Sequence, residues 1–173
     1  PYTGANMKIE DRRVNPSWVP AVQVLKEVIP LFKQEHFAGI RKIVLLDDDY
    51  HAKRGVSKAA GRYCPIQGTR AADVEIYLGH LSTLPEELKG NRMLLTYLIT
   101  ETLMHEIYHH LVRGQRKLRR PSFKEEQRRA EQWAFSAVVH VFRQLFPGEE
   151  TESEWNRIQQ IASQMFPTKS QKQ

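Results

Sequence analysis

Residues 93–112 read MLLTYLITETLMHEIYHHLV. A stretch without proline or glycine, apolar almost all the way round the helical wheel, predicts one long helix buried at the centre of a domain. Gly114 suits its C-terminal cap. Within it stand His105, Glu106 and His109, in the order His-Glu-x-x-His. Positions i and i+4 differ by about 40° around a helix axis, so the two imidazoles point the same way, and Glu106 lies about 60° further round from His109. Two neutral imidazoles suit Zn²⁺, whose catalytic sites hold three protein ligands and one water. The carboxylate between them can take a proton from that water, which the metal acidifies. Buried histidines and a buried glutamate are costly without a partner, and metal binding offsets that cost. A pair of satisfied core histidines is the bland alternative.

A catalytic zinc needs one more protein ligand. Downstream, Pro121 and Ser122 open a second helix that runs to about Leu145 and stops at Pro147-Gly148, and Ser122 with Glu125 fits a capping box. Phe135, Val138, Phe142 and Leu145 read as its apolar stripe, so Glu131 is expected on the inward face, an odd place for a carboxylate without a task. Glu126 then falls about 140° from that stripe and can be solvated, while His140 lies about 180° from Glu131 and faces away. The expected metal set is therefore His105, His109 and Glu131, holding one Zn²⁺ per chain, with Glu106 as the catalytic base. The alternative for Glu131 is a carboxylate salt-bridged to a nearby arginine.

Upstream, helical spacing of Val22, Leu25, Val28, Ile29 and Phe32 predicts a helix over Ser17 to His36, interrupted at Pro30 and ended by Gly39. The period then changes. Lys42 to Leu46 reads as a buried strand, Gly61 to Cys64 as a weaker one, and Asp73 to Leu78 alternates with Val74, Ile76 and Leu78 on one face. An amphipathic helix over Glu152 to Met165 closes the pattern. The predicted fold is α+β, a small three-stranded sheet with one solvated face packed on helices. Residues 1–14 read as an extension, of which 1–6 precede a natural-looking start at Met7 and resemble an expression scar. The domain is expected over 15–166, and 167–173 as a disordered tail.

The chain of 173 residues has a single cysteine, Cys64, which excludes an intramolecular disulfide framework and a Cys-x-x-Cys zinc knot. A reducing, cytoplasmic setting is the default expectation. No apolar run approaches the roughly 18 residues of a membrane span. The net charge of +6 favours acidic partners. The basic run Arg113, Arg116, Lys117, Arg119 and Arg120 has no aromatic interleaving, so a solvated loop is favoured over a nucleic-acid surface. Cys64 reads as a small buried core residue rather than an inhibitory thiolate on the metal.

The His-Glu-x-x-His helix, followed 22 residues after His109 by Glu131 in Glu131-Gln132-Trp133-Ala134, resembles the zincin metallopeptidases of the gluzincin type. The order helix, three short strands, active-site helix and glutamate helix is similar to that of the minigluzincins and the ImmA/IrrE-like peptidases, over roughly Val22 to Leu145. The resemblance implies a zinc-dependent peptidase acting on protein or peptide, and the lack of a long apolar run leads us to expect no membrane partner. It also implies that an edge strand above the metal pairs with extended substrate, a role that falls to Val74, Ile76 and Tyr77. A group stabilising the oxyanion is expected, and Tyr77, His80, Tyr108 and His110 all remain candidates. One departure stands out. Many relatives carry Asp or Asn four residues after the glutamate to orient a metal-binding histidine, where this chain has Phe135; Thr102 and Glu101 are the substitutes. SprT-like proteins, which use a third histidine, match less well because His140 points away. A reading from another class is a non-catalytic, zinc-stabilised module that binds protein or DNA through its basic loop.

Overall fold

The computed structural model describes residues 6–14, 19–48, 50, 59–114, 122–148 and 150–165. Its architecture is α+β, and the sheet has four strands rather than three. The strands are β1 (Lys8–Asp11), β2 (Ile40–Leu46), β3 (Gly61–Pro65) and β4 (Ala72–Tyr77), in the order β1-β2-β4-β3. β1 and β4 run parallel to β2, and β3 is antiparallel to β4. β1 lies in residues expected to form an extension. Its four residues carry one core-facing apolar side chain, Ile9, so no alternation announces it. The strand is held by its ladder to β2, by Arg12 N–H donating to Leu45 O at 3.0 Å, and by the buried Arg13 guanidinium on Asp11 and Val19 O.

The five α-helices of the described residues are α1 (Ala21–Val28), α2 (Glu86–Lys89), α3 (Arg92–Gly114), α4 (Phe123–Leu145) and α5 (Glu150–Met165). α1 is shorter than the spacing predicted. Pro20 stands at its N-cap, and Pro30 turns the chain into a 3₁₀ turn over Ile29–Leu31. Ser17 and the basic residues 116–120 lie outside the described residues, as does the tail beyond 165. None of the described helices is long and apolar enough to cross a membrane.

α3 is the helix predicted at the centre. Leu94, Leu95, Leu98, Ile99, Leu103, Met104 and Ile107 are all buried, each stabilising the fold by roughly 1.5–3 kcal/mol. On one side they meet the sheet's inner face, where Ile43, Leu45, Val74 and Ile76 are buried, and on another they meet α4. α4 begins as predicted, with Ser122 Oγ accepting from Glu125 N–H at 3.3 Å. The Glu125 carboxylate turns outward to Arg128 and Arg129, so only half of a capping box forms.

The buried face of α4 is not the predicted one. It consists of Ala130, Ala134, Ala137, Val138, Val141 and Phe142, while Phe135 is 40 % exposed and packs its ring on Trp155 of α5. Close approach of two long helices selects small side chains at the contact, so the alanines mark the seam and the large aromatic does not.

Candidate metal centre

α3 and α4 run against each other so that residues 105 and 109 of one face residues 126 and 127 of the other. His109 Nδ1–H donates to Glu126 Oε1 at 2.7 Å. That bond selects the tautomer in which His109 Nε2 carries the lone pair. His105 Nε2 lies 3.2 Å from His109 Nε2, so both rings aim at one point. Two ligands of a tetrahedral zinc, each at about 2.0–2.1 Å from the ion, stand about 3.3 Å apart. The pair therefore fits that ion. Burial, reinforced by the neighbouring His109 and opposed by a hydrogen bond to Gln127, holds the His105 imidazole down to about 4, so it is neutral near neutral pH.

Gln127 flanks the same point. Its Oε1 is 3.0 Å from His105 Nε2 and its Nε2 is 3.3 Å from His109 Nε2. The carboxamide orientation agrees with the tautomer, because the His109 lone pair receives the amide N–H.

Glu106 is buried at 8 % exposure and turns toward β3 rather than toward α4. Burial pushes its carboxyl up to about 7, against the pull of the Tyr63 backbone N–H that it accepts and of the Arg62 guanidinium. The β3–β4 register explains why that N–H is available. Tyr77 N–H donates to Ala60 O and Ile66 N–H to Ala71 O, so Arg62 and Cys64 face β4, while Gly61, Tyr63 and Pro65 turn their backbone groups outward. The approach of strand to helix is close. A Cβ at Gly61 would sit 2.6 Å from Thr102 Cγ2 and 3.2 Å from Glu106 Cγ, which only glycine avoids.

The Tyr63 side chain is fixed as well. Its hydroxyl donates to His110 Nδ1 at 3.2 Å and accepts from Arg113 Nη1 at 3.2 Å, while His110 Nε2–H donates to Ala38 O at 2.7 Å. His110 thus ties α3 to the turn at Gly39 and to β3. Tyr77 donates to the Glu75 carboxylate, and Tyr108 packs its ring on His109 and Trp133. Burial lowers the His80 imidazole to about 4. Cys64 is half-buried, and burial raises its thiol to about 11, which leaves it a poor ligand.

Two expectations change here. Glu131, the expected third ligand, is exposed, and its charge acts on Glu101, one turn before His105. Glu126, expected in solvent, instead orients His109. Both differences follow from the true phase of α4: Gln127 lies three residues before Ala130 and seven before Ala134, on the seam, and Phe135 had set the stripe one position too late. Among the described residues no three His, Cys, Asp or Glu side chains converge on one point. His140 is exposed and bonds Leu31 O at 3.0 Å, away from the pair. The expected substrate strand is also displaced. β4, with Val74, Ile76 and Tyr77, is paired on both sides and buried, so it has no free edge; β3 is the edge strand that flanks Glu106.

Gln127 and Glu126 gave no signal of their own in the sequence. The run of alanines at 130, 134 and 137 was the signal that would have found them. Comparison with protein-family models, with curated proteins and with solved structures finds no match to this chain.

Proposed function

We propose that the chain is a zinc-dependent peptidase of zincin type that hydrolyses peptide bonds. The observation that carries the reading is the convergence of His105 and His109 Nε2, 3.2 Å apart, on the helix that also carries Glu106, a buried glutamate whose carboxyl burial raises to about 7. His105 and His109 would hold the metal. Bound there, zinc supplies an acidified water and polarisation of the scissile carbonyl. Glu106, poised near neutrality, accepts the proton of the attacking water on its carboxylate and returns it to the leaving amine. Glu126 keeps the His109 ring in the ligating tautomer. The outward carbonyls of Gly61 and Tyr63 on β3 offer a rail for an extended peptide, the role that β4 cannot fill.

Glu106 separates this reading from a zinc-stabilised binding module, because a purely structural site has no use for a buried base. Glu106→Gln is expected to retain zinc, by elemental analysis, and to cut hydrolysis of a peptide library by at least ~10²-fold. Hydrolysis unchanged by the substitution would remove the mechanism.

A further inference from the structure

The seam between α3 and α4 is layered. Along α3, Glu101, His105 and His109 succeed one another at four-residue intervals, about 6 Å apart along the axis. Glu126 meets His109, Gln127 lies between His109 and His105, and Glu131 acts on Glu101. Gln127 is thus in the layer where the two imidazole nitrogens converge, and Glu131 is one layer below.

We propose, resting on the zinc-peptidase reading, that Gln127 Oε1 is the third metal donor and that no carboxylate completes the set. The carboxamide already spans the convergence point, 3.0 Å from one histidine nitrogen and 3.3 Å from the other. Glutamine has the reach of glutamate and an oxygen that accepts without charge. A metal held by two imidazoles and a carboxamide keeps its full dipositive charge, and a carboxylate reaches it only indirectly, from Glu126 through His109. Such an ion is bound more weakly than one with a ligating carboxylate, and it acidifies its water more strongly.

Competitive zinc titration against a chromogenic chelator tests the assignment. Gln127→Glu, isosteric and charged, is expected to tighten binding by at least ~10-fold, and Gln127→Ala to weaken it by at least ~10-fold. Glu131→Ala is expected to stay within about twofold of wild type. A second measurement places the donor directly. With Co²⁺, Gln127→Cys gains a thiolate-to-cobalt charge-transfer band that wild type, with its own Cys64, and Glu131→Cys both lack. Loss of metal in Glu131→Ala with wild-type affinity in both Gln127 variants would overturn the proposal, as would a band in Glu131→Cys alone. A wild type that takes up no zinc ends both readings; with zinc bound, the two fail separately. A zinc-loaded protein whose Glu106→Gln form hydrolyses normally loses the peptidase reading and leaves Gln127 in place.

Discussion

Glu126 accepts the His109 Nδ1 proton at 2.7 Å, and that one bond decides which ring nitrogen faces the convergence point. Glu126→Ala releases the ring to either tautomer, so zinc affinity is expected to fall ~10–100-fold in the same titration, with the circular dichroism of the helices unchanged. Glu101 offers a second test at this scale. Burial, aided by the charge of Glu131, lifts its carboxyl to about 7, above the 4.5 of a free glutamate. A raised acid holds its proton more tightly in the folded state. Its stabilising share is whole below about pH 4.5 and is lost as the pH rises through about 7. In metal-free protein, Glu101→Gln is therefore expected to melt above wild type at about pH 8, with the difference gone near pH 5. A gain of equal size at both pH values would show that charge is not its origin. At this scale the sequence was uneven. The order His105-Glu106-x-x-His109 stood out because three ionisable side chains on an apolar helix are costly without partners. Gln127 did not, because glutamine on a helix is ordinary and its meaning depends on a phase measured to within one residue.

The phase of α4 is a lesson about elements. Apolar stripes are usually read from the largest side chains, yet Ala130, Ala134 and Ala137 mark the true contact and Phe135 stands half in solvent. An error of one residue turns a helix by about 100°, enough to exchange an oriented carboxylate for a solvated one. The strands were legible where they alternate, as in β2 and β4, and illegible where a polar edge needs only one anchor, as in β1. Alternation does not encode pairing partners, so a central strand such as β4 reads like an edge strand. β3 owes its closeness to α3 to Gly61. Gly61→Ala is expected to lower stability by about 1–3 kcal/mol in urea denaturation, since a Cβ 2.6 Å from Thr102 forces strand and helix apart. The same shift lengthens the Tyr63 N–H bond to Glu106, so hydrolysis is expected to fall more than zinc affinity does.

Across the whole molecule, α3 is touched by the sheet, α1, α4 and α5, so the histidines sit on the most constrained element of the described chain. β1 contributes from the far edge. Deleting residues 1–11 strips the ladder from β2 and frees the buried Arg13 from Asp11, so a melting temperature lower by at least ~5 °C is expected, at roughly 2–4 °C per kcal/mol for a chain of this length. A truncated protein that melts with wild type would mean that β1 is an ornament of the sheet. The opposite rim has a quieter consequence. Of the three β3 residues turned outward, Pro65 has no N–H and Tyr63 has given its own to Glu106, which leaves at most the N–H of Gly61. Two copies meeting rim to rim would oppose carbonyl to carbonyl with hardly a donor between them. The contact that braces the candidate base thus also removes a donor from the rim of the sheet, and Glu106→Ala, by freeing the Tyr63 N–H, is where self-association through that rim should first become visible.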